Sequence, residues 1–168
     1  MRNEGKRFEA NFKNSIPKEI YYMRLKDNAG SWQGTSEKAR FTPSNACDCI
    51  LHYRGYLFLA ELKSYKGKSI PFHCFRDTQL QELYKLIPRE EELAVAVFNY
   101  RDIEETYMVH IADVKEFIET STLNDTRKSF PINWVREVGY FVPHERKKVN
   151  YTYDVLDTLN VLLNEMGA

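Results

Sequence analysis

The sequence predicts an α/β fold in a single domain, a mixed β-sheet flanked by helices, on three observations. Apolar residues recur at helical spacing near both ends and in the middle of the chain, short apolar runs of strand length lie between them, and the two patterns interleave. At 168 residues the chain is long enough to bury a core and fits one domain. With 43% hydrophobic residues, 11 Tyr and 10 Phe, it is not a disordered or solvating sequence.

A first helix is expected over about residues 5–15, where Phe8 and Phe12 share one face, with Asn3 as its cap and Pro17 closing it. Residues 20–25 read as a short strand. The stretch 24–45, with Gly30, Ser31, Gly34, Thr35 and Ser36, is the most loop-like part of the chain. Two strands follow at 47–53 and 56–63, joined by Arg54-Gly55. Leu80, Leu83, Leu86 and Ile87 give a helix over 77–87, with Asp77 as cap and Pro88 as stop. The apolar run 93–98 and its neighbour 106–111 are expected to be paired strands, and 112–119 a short helix. Between 120 and 150 the pattern is weak, beyond a helical turn opened by Pro131 and ended by Gly139. A last amphipathic helix is predicted over 153–166, burying Val155, Leu156, Leu159, Leu162, Leu163 and Met166. There is no internal repeat and no second domain in the pattern.

Composition removes several function classes. No apolar run approaches the roughly 18 residues of a membrane span, and the first residues lack the apolar stretch of a secretory signal. Three cysteines, an odd number, give no disulfide framework, so a cytoplasmic protein is expected. Cys47, Cys49, His73 and Cys74 do not suggest a zinc site: no Cys-x-x-Cys partner exists, and Cys47 and Cys49 are expected on opposite faces. His52 and His110 fall within strands and read as packing or edge residues. No Gly-rich phosphate loop or nucleophile elbow is present.

Net charge is zero, 24 basic residues against 24 acidic, so no overall basic excess points to nucleic acid. The distribution is uneven. Basic residues gather at Arg24, Lys26, Lys38 and Arg40, at Lys63, Lys66, Lys68 and Arg76, and at Arg146, Lys147 and Lys148, whereas Glu90, Glu91, Glu92, Glu104 and Glu105 lie elsewhere. Composition alone fits a basic face and ordinary solvated charge equally well.

The chemistry concentrates in the central hairpin. A turn at Arg54-Gly55 faces Tyr53 with Tyr56 and therefore Asp48 with Glu61. Directly opposed residues have Cβ atoms about 4.5–5.5 Å apart, so two carboxylates there repel unless a cation lies between them. Lys63 shares the face of Glu61 one pleat along, after Leu57 and Leu59. Two acids and an amine in that arrangement suit phosphodiester hydrolysis. The carboxylates would hold Mg²⁺, and the ammonium would orient water or stabilise developing phosphate charge. The same spacing is also met by a hairpin end rising into solvent, where both acids are merely hydrated.

Asp48, then Glu61-x-Lys63 on the next strand, then Gln79 in the following helix, resembles the arrangement of the PD-(D/E)xK nucleases. The stretch ELKSYKGKSIPF at 61–72 followed by DTQ at 77–79 more narrowly resembles the RecU-type Holliday junction resolvases of Gram-positive bacteria and their phages. The opening NEGKRFE at 3–9 is similar to that family's first helix, and GYFVP at 139–143 to its end. The likeness is strong across 46–84 and looser elsewhere.

The resemblance implies a restriction-endonuclease-like fold acting as a homodimer, since two symmetric cuts across a four-way junction call for two matching sites. Mg²⁺ would be the cofactor, with Mn²⁺ able to substitute, and the products would carry 5′-phosphate ends. Asp48 and Glu61 would be metal ligands, Lys63 the catalytic lysine, Gln79 a holder of water or phosphate, and Glu9 an additional acid near the metal. By themselves Gln79 also reads as a surface helix residue, and Glu9 as half of a Glu9–Lys13 helix pair. Lys66, Lys68, Arg76, Lys38 and Arg40 are the expected DNA contacts.

Two departures stand out. Cys47 occupies the position of the superfamily's Pro. The segment 24–45 is also short for the family's long basic stalk into the junction centre, although Trp32 and Phe41 offer stacking groups. Its small size and lean stalk favour a phage member. The other readings are a same-superfamily restriction or repair endonuclease on other DNA, and a non-catalytic junction-binding protein.

Overall fold

In the computed structural model, which describes residues 4–25 and 45–167, the molecule is built on a six-stranded mixed sheet. Helix α1 (Glu4–Asn14) leads into strand β1 (Tyr21–Arg24), and the hairpin β2 (Cys49–Tyr53) and β3 (Tyr56–Tyr65) follows. A crossover holding β4 (Ser69–Pro71), a 3₁₀ turn (Phe72–Cys74) and α2 (Asp77–Tyr84) carries the chain to β5 (Glu92–Tyr100). Then come β6 (Glu105–His110), α3 (Ile111–Leu123), β7 (Ser129–Pro131), α4 (Ile132–Val138), β8 (Tyr140–Phe141), β9 (His144–Lys147), β10 (Asn150–Tyr153) and α5 (Val155–Glu165).

The strand order is β1-β2-β3-β5-β6-β8. Every neighbouring pair is antiparallel except β3 and β5, which run parallel because the α2 crossover returns the chain to its starting end. β4–β7 and β9–β10 form separate two-stranded ribbons. The interleaved α/β class expected from the sequence is the one observed.

Alternation along β3 divides the core in two. Phe58, Ala60 and Leu62 face α1 and α5, where they meet Phe8, Phe12, Leu159, Leu162 and Leu163. The opposite face meets Leu80 and Leu83 of α2, Val114 of α3 and Val135 of α4. Glu61 and Lys63 alternate with the first set and so lie on the α2 side. The hairpin turn is tight: Arg54 and Gly55 both have positive φ, 50° and 86°, as a two-residue turn matching strand twist requires. Gly139 ends α4 as expected. A Cβ there would stand 2.6 Å from the Val135 carbonyl oxygen, too close for any other residue.

Several boundaries differ from the sequence reading. α2 takes Arg76 as its N-cap residue, with no side-chain cap bond from Asp77, and stops three residues earlier at Tyr84. α3 runs on to Leu123. In α5 the cap is Asp154, whose side chain accepts the Asp157 amide, and Met166 is exposed rather than buried. The ribbons β4–β7 and β9–β10 were not expected: each strand has three or four residues with one or two inward side chains, too short a run for alternation to mark it. Lys38 and Arg40, with Trp32 and Phe41, lie outside the described residues.

Candidate active site

The hairpin register faces Cys49 with Ala60 and Tyr53 with Tyr56, as the turn position predicts. One residue beyond Cys49, the backbone bends. Asp48 donates its amide to the Ala60 carbonyl at 3.2 Å, and its carboxylate Oδ2 accepts the Leu62 amide at 2.8 Å. A side-chain oxygen thus stands where a continuing strand would offer a backbone carbonyl. This fixes the Asp48 carboxylate beside β3, one position from Glu61. The bend also explains the cysteines. Residues two apart on a regular strand share a face, yet Cys47 packs into the α2-side core and Cys49 into the α1-side core. The two thiols do part to opposite faces, because the bend and not strand alternation separates them.

Glu61 is 2% exposed. Its Oε1 accepts from Lys63 Nζ at 2.5 Å, while Oε2 is buried without a hydrogen-bond partner. Burial first and the Asp48 charge second push the Glu61 carboxyl up, Lys63 and the Gln79 amide pull it back, and together they leave it at about 7. Lys63 rests 5.1 Å from the centre of the Phe75 ring, which the 3₁₀ turn carries to the site. Gln79, in the first turn of α2, is also buried, and its Oε1 lacks a partner. The fold therefore gathers Asp48, Glu61, Lys63 and Gln79 on one face at the end of the hairpin.

Two unpaired buried acceptors, Glu61 Oε2 and Gln79 Oε1, are costly in a neutral core, on the order of 1–3 kcal/mol each. They suit a divalent cation with oxygen ligands, so the donor set fits Mg²⁺ or Mn²⁺. Cys47 and Cys74 border the same space. Each thiol is pushed up to about 12, chiefly by burial, with Glu61 raising both and Lys63 opposing at Cys74. They are protonated packing groups there. Sequence reasoning did not single out Phe75; an aromatic four residues before the helix glutamine was the available signal.

A family model for Recombination protein U matches residues 7–158. The chain belongs to the RecU family. It is 34% identical to the SPbeta prophage-derived uncharacterized protein YotM of Bacillus subtilis (strain 168), over 98% of this chain and 87% of that protein. It is 26% identical to the Holliday junction resolvase RecU of Streptococcus pneumoniae (strain P1031), over 61% of this chain and 50% of that protein. The resolvase of strain R6 matches over the same shares. The chain thus spans about half the length of these resolvases, and its more extensive likeness is to a prophage product, the source class that its size suggested.

The remaining predicted residues distribute unevenly in this RecU-family chain. Glu9 projects from α1 and is bound by Arg24, the last residue of β1, at 2.7 Å. That strand end lies close by, since Leu25 donates its amide to the Asp48 carbonyl at 3.0 Å. The Tyr22 hydroxyl, raised first by burial, also senses Cys49, Arg24, Glu9 and Asp48. Even so, among the described residues no group of three or more His, Cys, Asp or Glu side chains is placed to hold one ion. Lys66 and Lys68 are exposed in the turn after β3, and Arg76 is exposed ahead of α2. These three flank the Glu61–Lys63 strand end and the helix that carries Gln79. Among the described residues no helix is long and apolar enough to cross a membrane.

Proposed function

We propose that the protein is a metal-dependent endodeoxyribonuclease that resolves four-way DNA junctions. The observation that carries this reading is Glu61: a buried carboxylate with one oxygen on Lys63, the other unpartnered, and Asp48 anchored beside it. Membership in the RecU family, and the likeness to proteins named Holliday junction resolvases, support the substrate.

Asp48 and Glu61 would hold Mg²⁺, with Mn²⁺ able to replace it. When bound, the cation supplies Lewis-acid polarisation of the scissile phosphoryl group and neutralises its charge. The chain's own groups do the rest. Lys63 Nζ lies within reach of the same space and stabilises negative charge developing on the phosphate, or orients attacking water. Phe75 covers one side of that amine and limits its hydration. Gln79 presents a carbonyl oxygen that accepts from water or an amide that donates to a phosphate oxygen. Glu9, the additional acid of the site, is held in an ion pair by Arg24. Lys66, Lys68 and Arg76 would contact the DNA backbone as phosphate partners, without sequence preference. A homodimer would present two such sites related by a two-fold axis, matching the two strands cut in paired symmetric nicks.

Cleavage of a four-way junction and of a linear duplex, each with Mg²⁺ and with chelator, tests the reading. Symmetric nicking confined to the junction and lost with chelator supports it. Equal cutting of linear duplex makes the protein a nuclease of other DNA, and tight junction binding without cutting makes it architectural.

A further inference from the structure

We propose that a second cleft, on the sheet face away from Glu61, binds a non-scissile phosphate of the DNA backbone. The proposal takes its occupant from the nuclease reading above. The cleft, of about 170 Å³, lies between the first turns of α1, the turn after β5 and the β9–β10 ribbon. Arg7, Arg101 and Arg146 converge on it from those three elements, and Glu4 and Glu104 line it as well. The acids engage two of the arginines: Glu4 pairs with Arg7 at 3.3 Å and Glu104 with Arg146 at 2.8 Å. Arg101 has no ion pair among the described residues, and its Nε is buried without a hydrogen-bond partner.

Unpartnered buried side-chain polar atoms thus fall in two places among the described residues. The acceptors of Glu61 and Gln79 lie at the catalytic face, and the donor of Arg101 at this cleft. Orphaned acceptors suit a cation; an orphaned guanidinium donor suits an anion, and its planar fork matches phosphate oxygens. The two places share one end of the sheet. The Arg101 amide donates to the Tyr65 carbonyl at 3.0 Å, and Tyr65 lies two residues past Lys63, roughly 7 Å along the strand. Ser64, between them, turns to the cleft side and donates to Asn99 at 2.7 Å. A backbone crossing the carboxyl ends of β3 and β5 would meet Lys63 first and Arg101 a short step later. Lys147 and Lys148, at the exposed end of the ribbon that carries Arg146, extend the same charge outward.

The test is equilibrium binding to a four-way junction and to a linear duplex, in chelator, across a salt series. Arg101→Gln is expected to weaken binding to both DNAs roughly fivefold and to flatten the log–log salt slope by about one unit, the signature of one lost phosphate contact. Glu104→Gln, which removes the negative charge held against Arg146, is expected to tighten binding to both by roughly threefold. A gain of this kind cannot come from misfolding, so it stands if Arg101→Gln proves unstable. Unchanged affinity and slope in both variants overturn the proposal, even if the wild type cuts junctions. If the wild type cuts nothing but both shifts occur, the cleft stands and the nuclease reading falls. If inorganic phosphate alone raises the melting temperature of the wild type but not of Arg101→Gln, and DNA affinity does not change, the cleft takes a free anion and the DNA assignment is overturned.

Discussion

The Asp48 carboxylate accepts the backbone amide of Leu62, the residue between Glu61 and Lys63. One acid of the hairpin is thereby tied to the strand that carries the other acid and the lysine, so the spacing of the three groups is set by main-chain geometry. The tie also gives Asp48 a structural duty separable from any role toward a metal.

Asp48→Asn keeps an acceptor for the Leu62 amide and removes the charge. It should fold with a melting temperature near that of the wild type and lose Mg²⁺-dependent cleavage. Asp48→Ala should be less stable by about 1–3 kcal/mol, because the Leu62 amide is left unpaired. Thermal melts with cleavage assays separate the two; equal stability of both variants would show that the Leu62 bond contributes nothing.

Lys63→Ala should abolish cutting and leave junction affinity within a few-fold. Removing the ammonium deprives Glu61 of its partner at Oε1, so the variant's Glu61 titrates higher still. Cleavage rates and binding isotherms on the same junction check this. Collapse of affinity together with thermal stability would make Lys63 a structural residue.

Glu61 sets a pH dependence in the metal-free protein. Its folded-state carboxyl, near 7, stands above the ordinary value of 4.5. The folded chain therefore binds the proton more tightly than the unfolded one. That contribution is complete below pH 4.5 and is lost as pH rises through 7, by at most roughly 3 kcal/mol. Glu61→Gln should melt several degrees higher than the wild type at pH 8 and nearly level with it at pH 4.5. Added Mg²⁺ should stabilise the wild type at pH 8 and not the variant. A wild type whose melting temperature climbs steadily from pH 5 to 8 relative to the variant would contradict the assignment.

Gln79→Ala should lower the cleavage rate roughly 10- to 100-fold, the range met when groups orienting a reaction centre are removed, and cost some stability, since the side chain is buried and its amide bonds Glu61. Single-turnover kinetics at saturating protein reads the effect, and an unchanged rate would return Gln79 to a packing role.

The β2–β3 hairpin was legible in the sequence because a two-residue turn fixes which residues face each other, and that rule holds from Cys49 to Tyr53. α1, α4 and α5 were legible for a similar reason: Phe8 and Phe12, Pro131 and Gly139, and the leucines of α5 each carry a local signal. The bend at Asp48 was not, since it depends on the Asp48 carboxylate competing with a backbone carbonyl for the Leu62 amide. Asp77 looked like a cap, but the helix begins from extended backbone at Arg76. In the β9–β10 ribbon only Tyr151 and Tyr153 turn inward, beside the wholly polar β9, and two tyrosines next to the final helix are too short an alternation to mark a strand. The arginine cleft lay beyond sequence reading because Arg7, Arg101 and Arg146 meet only after folding.

The parallel pairing of β3 with β5 governs when these parts come together. The hairpin can zip locally, but Gln79 and Phe75 arrive only once the whole crossover has docked and β5 has slotted in beside β3. Pairings between distant stretches of chain form late and slowly. A nascent or half-assembled chain thus holds its two acids and its lysine without the helix and aromatic ring that complete the cluster.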